Sequence, residues 1–292
     1  MATSREKKIV SKIRQIQQAQ LDIEARMSDS LSEVFRGLSD QVIEIADNLS
    51  LDPKNRAKSL RELMKLKVDI ADVIASNPLY QSEVAAVIEK FATLQTLSNE
   101  YMGLIIDDFI PKKELYKAIL EVNIQTTTDA LIGGGIRDNF KNAIQEVLKE
   151  NITGKSSRVQ LNKTLRKFIE GTPEEKPFLE RYIRQTTNDA VMAFNREYIQ
   201  TISDDLDLQH YFYSGTIIDE TRPFCKSRTG KYFTKEEVQK WADLSWQGKM
   251  SGTNKNTIFT YAGGYNCRHT IWPVTEEQYN AAMGKGEVGL TP

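Results

Sequence analysis

Along the first 49 residues an apolar side chain returns every three or four positions: Ile9, Ile13, Ile16, Ile23, Met27, Leu31, Val34, Leu38, Val42, Ile45 and Leu49. That step marks one face of an α-helix. It implies a single helix of roughly 45 residues, about 65 Å long at about 1.5 Å per residue. The opposite face is Lys, Arg, Gln, Glu and Asp. Such a helix cannot bury its stripe inside a small globule, so it requires a long bundle or a partner surface. The steps do not hold a heptad, which argues against a coiled coil. Thr3-Ser4-Arg5-Glu6 has the form of a capping box that would start the helix.

The helical pattern continues to about residue 205. Asp52-Pro53 reads as a cap followed by proline at a first helical position. It opens a second helix that ends near Asn77-Pro78. A third carries Val84, Val87, Phe91, Leu94, Tyr101 and Ile105, and Pro111 marks the next break. A fourth runs to Gly133-Gly134-Gly135, and three consecutive glycines are expected to lie outside any helix, as a turn or a hinge. No Lys-Ser/Thr follows, so the triplet is no phosphate loop. Helices are predicted at about 136–151 and 157–170. Gly171-Thr172-Pro173-Glu174-Glu175 combines a stop glycine, a cap, a proline and acidic first-turn residues. It is expected to open a helix with Leu179, Ile183, Thr186, Ala190, Phe194 and Tyr198 on one face, ending near Ser203-Asp204-Asp205.

From about Leu208 the character changes. His210 to Ile218 is aromatic and β-branched and reads as a strand. Thr229-Gly230-Lys231 suits a hairpin turn, Thr234-Lys235-Glu236-Glu237 starts a short helix to about Asp243, and Trp246 to Asn256 reads as an exposed loop. Ile258 to Tyr261 is expected as another strand, with Gly263-Gly264 as a turn before Cys267. The predicted fold is mainly α: an extended N-terminal helical bundle with a small C-terminal α+β domain. The expected divisions are a long-helix region at 1–132, a helical part at 136–205, a small α+β domain at 206–276 and a flexible tail at 277–292 that includes Met283-Gly284-Lys285-Gly286.

The totals narrow the class. A chain of 292 residues suffices for one large or two ordinary domains. Its formal charge of −1 excludes an overall polycation. The balance is uneven, however: from Thr221 to Pro273 there are nine Lys/Arg against three Asp/Glu. That local excess fits either a solvated surface or contact with nucleic acid or an acidic partner. Two cysteines cannot make a disulfide framework, the N-terminus lacks an apolar signal core, and no apolar run is long enough for a bilayer. These features place the expected site of synthesis in a reducing cytoplasm, with an assembly such as a virion as a compatible destination.

Both cysteines and both histidines fall between residues 210 and 269, and the first 200 residues contain neither type. Cys225, Cys267, His269 and His210 would complete a Cys2His2 set suited to tetrahedral zinc. Cys267 and His269 flank Arg268, so on a strand their side chains point the same way. No Cys-x2-Cys or His-x3-His pair supports this spacing, and buried unligated thiols or a disulfide fit the same residues. A thiolate nucleophile would take Cys225 or Cys267 with His269 and Asp219, but no nucleophile elbow or oxyanion-hole loop accompanies them. Arg222 and Arg268 each sit beside a cysteine cluster, and Asp219 lies three residues before Arg222. They suit an ion-pair network joining the two clusters or, alternatively, phosphate contact. Trp241, Trp246 and Trp272 are expected as the core of the small domain.

At these residues the chain resembles the phage Mu F-like minor head proteins, the head morphogenesis family of tailed bacteriophages. The family pattern is an aromatic strand, then Asp-x-x-Thr-Arg-x-x-His/Cys, a hairpin glycine, a variable loop, and a closing Asn-Cys-Arg-Cys/His with a hydrophobic residue and proline. Those places are held here by Tyr211 to Ser214, Asp219, Thr221, Arg222, Cys225, Gly230, Asn266, Cys267, Arg268, His269, Trp272 and Pro273. Asn195-Arg196 resembles the family's upstream Asn-Arg element. Cys225 stands where many members have His, and His269 where many have Cys. The resemblance covers roughly residues 180 to 275 and leaves the first 130 unmatched. It implies a virion component rather than an enzyme, present in few copies at the portal vertex or head interior, that contacts the portal protein or major capsid protein and assists head assembly, DNA packaging or DNA delivery. In such a component the local basic excess would face packaged double-stranded DNA without reading its sequence, and the short apolar runs predict no membrane partner. The alternatives are a zinc-containing nucleic-acid-binding module and a toxin-type enzyme. The enzyme alternative would need an added domain, and the short stretch after Pro273 is not expected to supply one.

Overall fold

The structure, a computed structural model, describes residues 4–51 and 54–284. Thr3 of the expected capping box, the expected cap at Asp52-Pro53 and Lys285-Gly286 of the expected tail lie outside the described residues. Seven long helices come first: α1 (Ser4–Ala46), α2 (Arg56–Ser76), α3 (Pro78–Ile105), α4 (Lys113–Leu131), α5 (Gly134–Thr153), α6 (Arg158–Glu170) and α7 (Phe178–Asp205). A smaller part follows with β1 (His210–Gly215), α8 (Pro223–Lys226), β2 (Tyr232–Thr234), α9 (Lys235–Lys240), α10 (Ile258–Tyr261), β3 (His269–Val274) and α11 (Glu276–Met283). The protein is therefore mainly α with a small three-stranded antiparallel sheet near its C-terminus.

The stripe that predicts the first helix is buried from Ile9 to Val42. Its residues divide between two compact units. Among the described residues, one comprises those up to Asp22, Lys90–Asn123 and those from Asn188 onward; the other comprises those of Ile23–Glu89 and Ile124–Thr187. Helices α1, α3, α4 and α7 each contribute residues to both.

In the second unit α2 packs along α5, and Arg137 on α5 pairs with Asp72 on α2 at 2.9 Å. Phe140, Phe168 and Phe178 stack in series, with neighbouring ring centroids 6.4 and 5.3 Å apart. The glycine triplet departs from expectation. Gly133 caps α5, while Gly134 and Gly135 form its first turn. The physical reason is proximity. A Cβ on Gly135 would lie 2.7 Å from the Ala130 carbonyl and 2.9 Å from the Tyr182 hydroxyl, so α4 and α5 meet where only glycine fits. A second departure is at Thr172. Its hydroxyl accepts from the amides of Glu174 and Glu175, closing a local turn, and α7 starts later, at Phe178.

In the first unit the sheet order is β2-β1-β3. β1 lies centrally because Tyr211 and Tyr213 alternate onto one buried face. β3 is an edge strand, which accommodates Pro273, a residue with no amide hydrogen to donate. All six of its residues are nonetheless buried, so its outward carbonyls need donors from elsewhere. Tyr101 on α3 donates to the Pro273 carbonyl at 2.7 Å. Arg196 on α7 donates to the His269 carbonyl at 2.9 Å. Phe91 of α3 stacks on Phe194 of α7, centroids 4.9 Å apart.

Trp241 lies in the core of the small C-terminal part, as expected, and Trp246 packs on it partly buried, whereas Trp272 is buried outside that cluster, against Tyr101 of α3 with ring centroids 5.1 Å apart. Ile258–Tyr261 forms α10, a short helix rather than the expected strand. Four apolar-rich residues fit either form, and here the Asn254 side chain accepts from the amides of Asn256 and Thr257, turning the chain into a helical start.

Phe91→Ala is expected to destabilise the protein by about 3–5 kcal/mol through the cavity it leaves. Tyr101→Phe, which strands a buried carbonyl, should cost about 1–3 kcal/mol. Met64→Ala, at a position 63% exposed, should stay within about 0.5 kcal/mol. Urea unfolding followed by circular dichroism checks all three.

Candidate functional site

Three segments build the site. The first is the turn that leads into α8. There the Ile218 amide donates to Thr221 Oγ1 at 2.8 Å and the Thr221 amide to the Ile218 carbonyl at 3.0 Å. Pro223 sits in the first turn of α8, where its missing amide hydrogen costs nothing, and Cys225 projects into the core. The second is the approach to β3, carrying Asn266, Cys267, Arg268 and His269. Asn266 has a positive φ of 53°, and its amide donates to Asp189 Oδ1 at 2.7 Å. The third is the middle of α7, which carries Arg196.

These segments bring Cys225, Cys267 and His269 together, all buried, with their candidate ligand atoms within 4.8 Å of one another. Cys225 Sγ and Cys267 Sγ are 3.9 Å apart, and Cys267 Sγ is 3.9 Å from His269 Nδ1. Both cysteines are free thiols, since a disulfide needs about 2.05 Å. Tyr213 from β1 donates its hydroxyl to Cys225 Sγ at 3.3 Å and stacks on the His269 ring, centroids 5.4 Å apart. The His269 amide donates to Cys267 Sγ at 3.4 Å.

The two sulfurs titrate in opposite senses. Cys267 is held well below the usual thiol range by the hydrogen bond from Cys225, against the cost of burial, with further help from the charge of Arg196 and from His269. Cys225, as the donor in that hydrogen bond and itself buried, is pushed up. Burial also raises the Asp189 carboxyl and the Tyr213 hydroxyl.

Two glycines allow the approach. A Cβ on Gly215 would lie 2.5 Å from the His269 ring, with which it is paired across β1 and β3. A Cβ on Gly263 would press against Cys225 Sγ and lie 2.7 Å from Cys267 Sγ. Trp246 Nε1 fixes the Gly263 backbone by donating to its carbonyl at 2.9 Å.

Arg196, only 5% exposed, holds the closing block from below. It donates to the carbonyls of Cys267 at 2.7 Å, His269 at 2.9 Å and Thr260 at 3.2 Å. The adjacent Asn195 bonds elsewhere, accepting from Gln20 at 3.1 Å and donating to Ser98 at 2.8 Å.

His210 does not belong to this group. It opens β1 opposite Val274, whereas His269 lies opposite Gly215 at the far end of the strand. Five residue steps of roughly 3.3 Å separate those ends by about 16 Å. The His210 ring packs instead on Tyr279, centroids 4.3 Å apart, and burial lowers its pKa. The expected Cys2His2 set is thus corrected to Cys225, Cys267 and His269. No carboxylate oxygen joins these three among the described residues.

The expected pairing of Arg222 with the Asp219 carboxylate is corrected as well. Arg222 does join the two blocks, but through the Tyr265 carbonyl at 2.7 Å. Asp219 takes part by its backbone carbonyl, which accepts from Lys226 Nζ at 2.9 Å. Gly230 has a φ of 82° and its amide donates to the Tyr213 carbonyl at 2.9 Å, consistent with its expected role in a turn. The three clustered residues line a cleft of about 630 Å3 together with Thr221, Arg222, Asn266 and Arg268.

Sequence reading missed Tyr213, Asp189 and Gly263 as members of the site. Tyr213 read simply as strand, Asp189 as one polar helix position, and Gly263 as turn. Only the adjacency of Gly263-Gly264 to the closing block pointed toward a close backbone approach. Comparison with protein-family models, with curated proteins and with solved structures found no match.

Gly263→Ala is expected to destabilise the C-terminal part by several kcal/mol, because its Cβ must displace a buried sulfur. Gly230→Ala, whose Cβ would meet nothing, carries only the strain of a positive φ, about 1–2 kcal/mol. Thermal unfolding of the two variants side by side checks the order.

Proposed function

We propose that this chain is a minor head protein of a tailed bacteriophage, which associates with the portal or the capsid interior and assists head assembly, DNA packaging or DNA delivery. The observation that carries the reading is the convergence of the separated motif blocks. Arg196, of the Asn-Arg element, donates to the carbonyls of Cys267 and His269, while Cys225 of the first block lies against Cys267. Elements that resemble one family's signature in order and spacing therefore also act together as one structural unit.

The helical part adds support. Leu60, Met64 and Val68 of α2 lie four residues apart, so they share one helix face, and they are 37%, 63% and 52% exposed. A partner surface in an assembly would cover such a face. The basic excess around the motif fits contact with packaged DNA through phosphates, without sequence reading. Among the described residues no helix is long and apolar enough to cross a membrane.

Co-expression with a phage portal protein and major capsid protein tests the reading. After sedimentation, the chain is expected to travel with assembled heads, at few copies relative to the major capsid protein. Recovery of the whole population as free protein, with heads assembling equally well without it, would refute the assignment.

A further inference from the structure

The geometry points to a metal site of three protein ligands, Cys225 Sγ, Cys267 Sγ and a ring nitrogen of His269, suited to zinc and with its fourth position open to the cleft. The inference stands on local chemistry and does not depend on the virion assignment.

Distances come first. Two thiolates bound tetrahedrally at about 2.3 Å from zinc stand roughly 3.8 Å apart, and a thiolate and an imidazole nitrogen roughly 3.6 Å. Here the Sγ–Sγ separation is 3.9 Å and the Cys267 Sγ–His269 Nδ1 separation is also 3.9 Å. All three ligand atoms lie within 4.8 Å of one another, and side-chain rotations bring them to bonding distance of one ion.

The His269 ring is otherwise uncommitted. Its buried Nε2 has no hydrogen-bond partner, and its Nδ1 meets only the distant sulfur. A buried ring nitrogen without a partner is costly, and the one that coordinates a metal is relieved of that cost. The surroundings also suit thiolates: the Tyr213 hydroxyl and the His269 amide both donate to the sulfurs, as outer partners of metal-bound cysteines do. Gly215 and Gly263 leave space on the imidazole side and the sulfur side, where a Cβ would intrude. Soft sulfur and imidazole ligands select zinc over magnesium or calcium.

The fourth position follows from the cleft. All three ligand residues line it, and the carboxylate that also lines it, Glu220, does not join the group of ligand atoms. Structural zinc sites close with four protein ligands, whereas three leave an exchangeable position. Two thiolates neutralise the ion, and the cleft wall carries Arg222 and Arg268 against the carboxylate of Glu220. The open position therefore takes water, replaceable by a small anion.

The test uses the full chain, purified without chelator. Elemental mass spectrometry should find about one zinc per chain in the natural sequence and in His210→Ala. Zinc affinity, measured by competition with a chromophoric chelator, should fall more than ~10-fold in Cys267→Ser and in His269→Gln. Cobalt(II) substitution should give thiolate charge-transfer bands, and excess azide should shift the cobalt d–d bands. Absence of zinc from the natural sequence, or equal affinity in Cys267→Ser and His210→Ala, would overturn the site. A cobalt spectrum indifferent to azide would overturn the open position. Should a variant fail to fold, the zinc content and cobalt spectrum of the natural sequence decide the matter alone.

Discussion

Arg196 carries its charge into the interior and directs its donors at the carbonyls of Thr260, Cys267 and His269. A charge so placed is tolerated only when its hydrogen bonds are met and opposite charge is near. Asp189 lies on the same helix and Cys267 on the segment that Arg196 holds, and both interact with its charge. The carbonyls need the arginine equally. They belong to the end of α10 and the start of an edge strand, where no neighbouring strand supplies amides. One side chain thus satisfies the backbone of two segments and fixes both to α7. The placement of Cys267 and His269 follows from it.

Everything else in the C-terminal part is arranged about that attachment. β1 brings Tyr213 to the sulfurs and Gly215 beneath the imidazole, and the paired register of β1 with β3 sets both at once. Gly263 admits Cys225 from the opposite side, and Arg222 ties the first block to the Tyr265 carbonyl. A reduced sulfur–imidazole cluster results, open to a cleft edged by arginine. As a piece of a head protein it would make a compact module on long helices, with the helices left to meet the assembly.

Much of this was legible in the sequence. The long stripe from Ile9 onward specified α1, because a periodicity repeated over many turns leaves no other structure that buries it. The aromatic run from His210 and the helix start at Thr234 are equally direct, although the strand ends at Gly215 rather than Ile218. Errors arose where two local readings had similar energy. The short segment at Ile258 folds as a helix because of a side-chain turn at Asn254, a contact outside the apolar pattern. Residue type alone groups His210 with the thiols, but the register of β1 with β3 puts it opposite Val274, at the far end of the strand from His269. The site itself was half visible. Its cysteines and His269 stood out by rarity, while Gly263, Tyr213 and Asp189 have ordinary side chains whose role exists only once the chain is folded.

The account rests most on the guanidinium of Arg196, and its side-chain nitrogen resonances report on it without a mutation that could disturb the fold. In a nitrogen-15 spectrum of the intact protein, assigned by through-bond correlation along the Arg196 side chain, the Nε and Nη protons should be separately resolved and slow to exchange with solvent. A single averaged Nη signal, exchanging as fast as those of surface arginines, would contradict the buried attachment on which the module depends.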